Sequence, residues 1–182
     1  MSDELVDIVD EKDRVIGKID RATAHEKQIH HRLVEVWFFN SRGQILVQKR
    51  SQQKKILPGL REWTVSGHVD AGETYESALI RETREETGVE TSQEDFIDLG
   101  VFIPNLERDG KRITHVRRVF GYRYEGAIES LKFDSTEVDS FEWWDIDKLL
   151  ERISEHDSGF FEFLWHPFSI NVLRNIKRLH HD

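Results

Sequence analysis

Residues 67–89 read GHVDAGETYESALIRETREETGV, and this stretch decides how the rest of the chain is interpreted. A helix that begins near Thr74, at about 100° per residue, has three apolar residues on one face: Tyr75, Ala78 and Leu79. Glu82 and Glu86 fall near the middle of the same face. Because unpaired buried charges one turn apart cost several kcal/mol, a cation is expected beside them.

The segment RETREE also has an ordinary interpretation as a solvated helix surface, which is typical of charged runs. The angular placement favours the metal interpretation, because Arg81 and Arg84 are predicted to point elsewhere and so cannot neutralise both core-side glutamates. Arg81 is instead expected to pair with Glu85 or with Glu73 in the preceding loop.

Carboxylates at positions i, i+3 and i+4 of one helix face suit Mg²⁺ or Mn²⁺. Three glutamates have this spacing: Glu82, Glu85 and Glu86. The chain has no cysteine, so a metal must be held by carboxylate, imidazole or carbonyl groups. The glycines agree with this prediction: Gly67 lets the backbone approach a ligand, Gly72 turns the loop and Gly88 can end the helix.

The same residues resemble the Nudix box, G-x5-E-x7-R-E-U-x-E-E-x-G-U, in which U is apolar. Eight fixed positions match: Gly67, Glu73, Arg81, Glu82, Glu85, Glu86, Gly88 and Val89. Thr83 stands at the first U and is a mild departure. The resemblance implies a mixed β-sheet between helices and hydrolysis of a diphosphate linkage in a nucleoside diphosphate joined to another group.

The resemblance also implies a role for each matched residue. Divalent ions would be held by the Gly67 carbonyl with three carboxylates: Glu82, Glu85 and Glu86. Glu73 and Arg81 would support the loop. Among the candidate catalytic residues Glu82, Glu86 and Glu137, we favour Glu82 as the base that accepts a proton from the attacking water. Glu137, in STEVDSFEWW, is its rival, and an ordinary role as a solvated turn residue stays open.

A longer resemblance, over about residues 5–144, is to the isopentenyl-diphosphate isomerase branch of the same superfamily. It is carried by VWFFNSRGQILVQKRSQQKKILPGLREWTVSGHVDAGE and implies a metal bound by three histidines and two glutamates. The histidine positions are His25, His31 and His68. Ser66 replaces a cysteine that does proton chemistry, and Ile113 and His115 replace the glutamates, so the intact box favours a hydrolase over an isomerase.

The densest cationic group lies just before the box: Lys49, Arg50, Lys54 and Lys55. The isomerase branch implies that this region contacts diphosphate oxygens, although an ordinary solvated loop is as good an interpretation. His68, beside Gly67, is also predicted to bind substrate, and metal binding by the three histidines is left open.

Composition narrows the partners of the 182-residue chain. A formal charge of −9 disfavours bulk nucleic acid. The acidic N-terminus is unlike a signal peptide, and no apolar run is long enough to span a membrane, so a cytoplasmic protein with a small phosphorylated substrate is expected. Either a monomer or a homodimer is consistent with the sequence.

Strand patterns dominate the chain, with a central helix and one or two helices near the end, which predicts an α+β architecture in an α/β/α sandwich. A single domain over 1–182 is expected, with an N-terminal β-hairpin extension in 1–30, the box in 67–89 and a C-terminal helix in 160–182. The polar segment LERDGK is predicted to be a turn between two strands.

The leading prediction is a Mg²⁺-dependent pyrophosphohydrolase. Two alternatives are kept: an isopentenyl-diphosphate isomerase, and a catalytically silent module that binds a nucleotide. Silent modules are expected to lose box glutamates, and none is lost here.

Overall fold

The computed structural model describes residues 4–103, 106–108 and 111–179. The first strands are β1 (Leu5–Val9), β2 (Val15–Asp20), β3 (His31–Phe39), β4 (Gln44–Arg50), β5 (Arg61–Glu62) and β6 (Val65–His68). They are followed by β7 (Phe96–Phe102), β8 (Leu106–Arg108), β9 (Lys111–Ile113), β10 (His115–Arg123) and β11 (Val138–Asp145). The helices are α1 (Arg21–Glu26), α2 (Tyr75–Thr87), α3 (Ile146–Ser154) and α4 (Pro167–Leu179).

The strand β3 is the centre of a mixed sheet. It pairs in parallel with β10, in a register that runs from His31 opposite His115 to Phe39 opposite Arg123. Its other partners, β1, β4 and β6, are antiparallel to it. The β1–β2 hairpin confirms the predicted N-terminal extension, whose first three residues lie outside the described part of the chain.

The pairing of β3 with β4 is short and leaves room for β6. The two strands pair at Phe38 and Phe39, and β6 pairs with β3 beyond that point. The Thr64 hydroxyl lies at this fork, where it accepts a hydrogen bond from the Phe38 amide (2.9 Å) and donates one to the Leu46 carbonyl (2.5 Å). The fork therefore directs the end of β6, with the start of the box, along β3.

Side chains alternate across β3 and define two apolar layers. Val34, Val36 and Phe38 pack in one cluster with the apolar face of α2. Trp37 and Phe39 belong to the cluster on the other side, which includes buried residues of α3 and α4. The predicted α/β/α sandwich is confirmed, and Trp37 is a fully buried core residue.

Local signals set both ends of α2. The Thr74 side chain caps its N-terminus in a reciprocal box with Ser77, and Gly88 ends it in the left-handed conformation, with φ at 70°. The buried face contains the predicted apolar residues and two threonines: Tyr75, Ala78, Leu79, Thr83 and Thr87. Thr83 is fully buried, so the position faces the core as the apolar position of the box implies, although its hydroxyl has no hydrogen-bond partner among the described residues.

Two boundary predictions are wrong. The segment LERDGK is mostly not a turn, since β8 and β9 pair as a two-stranded antiparallel sheet, with residues 109–110 outside the described chain. Charged residues there satisfy backbone hydrogen bonds in a hairpin, which polarity alone does not reveal. The C-terminal helix begins at Pro167, not at residue 160, because Glu162–Trp165 form a separate 3₁₀ turn and proline favours the first helical position. Residues 180–182 lie outside the described part.

The described helices include none that is both long and apolar enough to cross a membrane.

Candidate active site and histidine cluster

The N-terminal hairpin holds the loop that precedes α2. The Ala71 amide donates to the Leu5 carbonyl at 2.8 Å, and the Gly72 amide donates to the Asp7 carboxylate at 3.0 Å. Gly72 has a φ of 84°, a conformation that side chains disfavour, as the sequence predicts for a turning glycine. Asp7 therefore positions the loop, a role that its local sequence gives no signal for.

The Arg81 guanidinium gathers the polar groups at the start of the box. It donates two hydrogen bonds to Glu73 (3.1 and 2.8 Å), one to the His68 carbonyl (3.0 Å) and one to Glu85 (3.4 Å). The expected pairing with Glu73 and Glu85 is present in the structure. The hydrogen bonds to Glu73, together with a further hydrogen bond to Glu82, raise the pKa of Arg81.

The expectation that Arg81 points away from the core-side glutamates is wrong for Glu82. The Arg81 Nη1 atom lies 2.7 Å from Glu82 Oε1. A helical wheel gives the direction of Cβ, whereas the long arginine stem leans back along the helix and its planar head reaches a neighbour. Arg81 therefore neutralises part of the charge on Glu82.

Gly67 and Glu82 are in direct contact. A Cβ atom placed on Gly67 would lie 1.8 Å from the carboxyl carbon of Glu82, so any other residue would displace this carboxylate. Burial raises the pKa of Glu82, while the hydrogen bond from Arg81 acts in the opposite direction. Gly67 is thus required because only a residue without a side chain allows the Glu82 carboxylate to lie against the backbone of β6.

Glu86 is the most isolated of the three box carboxylates. Its Oε2 accepts a hydrogen bond from the Ser66 amide at 3.1 Å, and no cationic side chain in the described ranges forms an ion pair with it. Burial raises the pKa of Glu86 well above its ordinary value, and the charge of Glu82 adds to the effect. A partly buried carboxylate with this environment is suited to bind a cation.

A second group of possible metal ligands, formed by four histidines, includes His68, the residue after Gly67. The histidine cluster consists of His25 from α1, His31 from β3, His68 from β6 and His115 from β10. One side-chain nitrogen from each lies within 4.8 Å of those of the others. The ring centroids are 4.7 to 5.5 Å apart.

Burial keeps the histidine cluster neutral. It lowers the pKa of His31 to about 4 and the pKa of His68 and His115 well below the ordinary value. Burial also lowers the pKa of His25, the exposed member. Each ring therefore has one unprotonated nitrogen near neutral pH, and neutral imidazole is the form that binds metals.

A family model for the NUDIX domain matches residues 29–164. The chain belongs to the Nudix family. The sequence resemblance to the Nudix box is confirmed.

Relatives agree with this assignment. A Nudix hydrolase of Deinococcus radiodurans is 32% identical over 159 residues, which are 87% of this chain and 89% of that protein. A crystal structure of DR0079 from D. radiodurans has a TM-score of 0.72 at 27% identity, covering 94% of this chain and 98% of the other. This Nudix protein is an enzyme of the hydrolase class, which acts on phosphoric anhydrides.

The isomerase branch is also among the relatives. An isopentenyl-diphosphate Delta-isomerase of Salmonella heidelberg is 35% identical over 149 residues, which are 79% of this chain and 78% of that protein. The sequence resemblance of this Nudix chain to the isomerase branch is therefore confirmed.

The predicted cationic group lies at the end of β4 and in the loop after it, and the rival base Glu137 lies just before β11. Carboxylates already pair with two of the four cations. Lys54 forms an ion pair with Glu137, and Arg50 pairs with the buried Glu62 at 2.6 Å. Lys55 is exposed and Lys49 is partly buried. Substrate binding by these four cations, and by His68, stays a prediction.

A buried ion pair that no sequence pattern predicts lies beside the histidine cluster. Arg117 Nη1 is 3.1 Å from Glu35 Oε2, and both side chains are almost fully buried. The guanidinium carbon lies 4.2 Å from the ring centre of Phe163 and 5.0 Å from that of Trp63, and the Trp37 indole donates to Glu35 at 2.7 Å. Burial raises the pKa of Glu35 and lowers that of Arg117.

Replacement of Gly67 by alanine tests the contact with Glu82. We expect Gly67→Ala to reduce kcat/KM for hydrolysis about 100-fold, the scale of a 1 Å misplacement of a reacting group, because the new methyl group displaces the Glu82 carboxylate. Steady-state kinetics measure this effect. Gly17→Ala is the control, since a Cβ there meets its nearest atom at an ordinary 3.6 Å. Equal activity of the two variants would contradict the assignment.

Proposed function

We propose that this Nudix hydrolase is a Mg²⁺-dependent pyrophosphohydrolase that cleaves a diphosphate linkage in a small nucleoside-diphosphate-type substrate. The observation that carries the proposal is the complete carboxylate set of α2, with Glu82 held against Gly67 and Glu86 partly buried and without an ion pair among the described residues. Mn²⁺ is the alternative ion, because it accepts the same oxygen ligands.

The residues present fit a hard divalent cation. The Glu82 carboxylate lies against Gly67, and the Glu86 carboxylate accepts a hydrogen bond from the Ser66 amide, so both lie at the backbone of β6. Glu85, the residue before Glu86 on α2, is the third carboxylate. All of these groups offer oxygen, the ligand atom that Mg²⁺ prefers. We assign Gly67, Glu82, Glu85 and Glu86 as the ligands.

Bound divalent ions would polarise a phosphoryl oxygen and lower the pKa of the attacking water. The chain itself supplies the proton acceptor, and we assign this role to Glu82. One of its oxygens is held by Arg81 at 2.7 Å, which fixes the orientation of the carboxylate. Burial, which raises the pKa of Glu82, brings its basicity closer to that needed at neutral pH.

Arg81 has a positioning role in this mechanism. It joins Glu73, the His68 carbonyl and Glu82, and so fixes the end of β6 relative to α2. Glu137 is less suited to be the base, because its carboxylate pairs with Lys54. Substrate phosphates that engage Lys54 would release Glu137, so it is retained as a secondary candidate.

The residue that would carry out proton chemistry in the isomerase branch is replaced in this chain, which argues against isomerase activity. Ser66 occupies the position at which that resemblance implies a cysteine. A hydroxyl with an ordinary pKa is a poor donor of a proton to carbon. The test below therefore includes isopentenyl diphosphate as a substrate that distinguishes the two reactions.

The proposed function is tested by a substrate screen with products identified by mass spectrometry. The panel contains nucleoside di- and triphosphates, nucleotide sugars, ADP-ribose, dinucleoside polyphosphates and isopentenyl diphosphate. We expect release of a nucleoside monophosphate from one class in the presence of Mg²⁺. A double-bond shift without phosphate release would support an isomerase, and no turnover of any diphosphate would support a silent module.

Removal of the metal is the matched test of ion dependence. Because no cationic side chain of the described residues forms an ion pair with Glu86, we expect a chelator to abolish hydrolysis and added Mg²⁺ to restore it. Activity that survives exhaustive chelation would contradict the proposal.

A further inference from the structure

We propose that the histidine cluster binds one transition-metal ion of the Zn²⁺ class and excludes Mg²⁺ and Mn²⁺. This site is separate from the box carboxylates and goes beyond the proposed function. It includes His115, which stands where the isomerase branch implies a glutamate.

The first observation is a pair of buried nitrogen atoms without partners. His31 Nδ1 lies 2.8 Å from the Ile29 carbonyl and must donate to it, so the lone pair of His31 is on Nε2. Within the described residues, His31 Nε2 is buried and has no hydrogen-bond partner, and the same is true of His115 Nδ1. Buried nitrogens are rarely left unpaired, and a bound ion would give both of them a partner.

The second observation is the fixed orientation of His31. A metal-binding histidine commonly donates its other ring nitrogen to a carbonyl or carboxylate, which sets the tautomer and the ring direction. The hydrogen bond to Ile29 meets this requirement without any metal present.

The third observation is the spacing of the rings. Zinc–nitrogen bonds of about 2.0–2.1 Å in a tetrahedron place the ligand atoms about 3.4 Å apart. His25 Nε2 and His68 Nε2 are hydrogen-bonded to each other at 3.2 Å, a contact that a shared ion would replace, and one ring nitrogen from each of the four histidines lies within 4.8 Å of those of the others. His25 is exposed, so small rotations on that side can complete the site and admit an ion.

The donor set decides the class of ion. Among the described residues, no carboxylate joins the group, and the other position implied to be a glutamate is Ile113, a residue type without a ligand atom. Neutral imidazoles suit Zn²⁺, Co²⁺, Ni²⁺ and Cu²⁺, whereas Mg²⁺ needs oxygen ligands. The metal set implied by the isomerase branch therefore does not fit this chain unchanged.

The nearby cations do not prevent binding. Arg117 and Arg21 both act on the electrostatics of the cluster. Arg117 is paired with Glu35, and Arg21 forms an ion pair with Glu4. Their positive charges are thus compensated locally, and the cluster itself is neutral.

An ion at this position would tie four elements together. It would join α1 of the N-terminal extension to β3, β6 and β10, and it would fix His68, the neighbour of Gly67. Since an ion that binds the folded chain stabilises it by mass action, chelation should lower the Tm even in the absence of substrate.

The test is Co²⁺ titration of the chelator-treated, full-length chain in excess Mg²⁺, followed by visible absorption. We expect an intense tetrahedral Co²⁺ band that saturates at one equivalent and is displaced by Zn²⁺. X-ray absorption of the zinc form should show four nitrogen neighbours at about 2.0–2.1 Å.

Two variants assign the band to its residues. His115→Ala should weaken Co²⁺ affinity about 100-fold or more. The metal-free chain should keep its circular dichroism spectrum, because His115 Nδ1 has no hydrogen bond to lose within the part of the chain that the structure describes. His156→Asn, which removes an exposed imidazole outside the cluster, should bind Co²⁺ as the wild type does. Glu86→Gln should also keep the band, which separates this inference from the proposed function.

Several outcomes would overturn the proposal. They are the absence of a tetrahedral band, its suppression by Mg²⁺, and equal Co²⁺ affinity of wild-type protein and His115→Ala. If His115→Ala fails to fold, the X-ray absorption spectrum of the wild-type zinc form decides the question: oxygen neighbours in place of four nitrogens would exclude the site.

Discussion

Glu86→Gln is expected to lower kcat/KM for Mg²⁺-dependent hydrolysis by about 10³-fold, within the range that a single acid–base or ligand group contributes. The substitution keeps the shape of the side chain, and the amide oxygen can still accept the Ser66 hydrogen bond. What it removes is the negative charge. Hydrolysis should therefore be lost for a chemical reason while the fold is retained.

The same variant should make the metal-free protein more stable. The folded-state pKa of Glu86 is raised, so ionisation of this group destabilises the fold as the pH rises above its ordinary pKa of 4.5. The difference in the free energy of unfolding between Glu86→Gln and the wild type should grow as the pH rises from 4.5 towards the raised pKa of Glu86 in the folded state. Below pH 4.5 ionisation of Glu86 should contribute no difference.

Steady-state kinetics and urea unfolding at several pH values measure the two effects. Glu90→Gln, an exposed glutamate just beyond α2, is the matched control and should change neither. Wild-type activity in Glu86→Gln would remove Glu86 from the metal site, and a large loss of stability would show that its charge is compensated in the fold.

Arg117→Met is expected to reduce the free energy of unfolding by about 3–5 kcal/mol, because it leaves the Glu35 carboxylate buried without its partner. Breaking one half of a buried ion pair is more harmful than replacing both halves. The double variant Glu35→Gln/Arg117→Met should therefore recover most of the loss, since the glutamine oxygen can still accept the Trp37 indole hydrogen bond.

Urea denaturation of the two single variants and the double variant completes the cycle. Arg152→Met is the surface control, because its contacts with Glu155 and Asp157 are long and exposed, and it should cost less than about 1 kcal/mol. A loss of similar size for Arg117→Met and Arg152→Met would mean that Arg117 contributes little beyond its packing. A double variant as unstable as Arg117→Met would point to the ring contacts instead.

The helix of the box could be predicted because its signals are local. The apolar spacing of Tyr75, Ala78 and Leu79, the Thr74 cap and the Gly88 stop all lie within one short segment. The contacts of a long side chain could not be predicted in this way, because a helical wheel gives the direction of Cβ and not the position of the guanidinium group. The contact between Arg81 and Glu82 was missed for this reason.

Features that depend on pairing distant strands could not be predicted in the same way. His115 meets His31, and Arg117 meets Glu35, because β10 lies parallel to β3 in one particular register. A shift of β10 by one residue would turn His115 and Arg117 to the other face of the sheet, away from His31 and Glu35. For His115 a partial signal did exist, since the isomerase resemblance placed it at a ligand position.

Charge patterns in the sequence predicted where charged residues are grouped better than they predicted the ion pairs that these residues form. The cationic segment before the box was found from its composition, but the pairing of Arg50 with Glu62 and of Lys54 with Glu137 depends on how the loop lies against β5 and the start of β11. Its part in substrate binding must therefore be measured.

The experiment that bears most directly on water attack is hydrolysis of the best substrate of the screen in ¹⁸O-labelled water with Mg²⁺, followed by mass spectrometry of the phosphate-containing products. Water attack directed by the box carboxylates predicts one ¹⁸O atom on a single phosphoryl product in each turnover, and about 10³-fold slower formation of that product by Glu86→Gln. Turnover without ¹⁸O on phosphorus, or formation of the labelled product by Glu86→Gln at the wild-type rate, would contradict this mechanism.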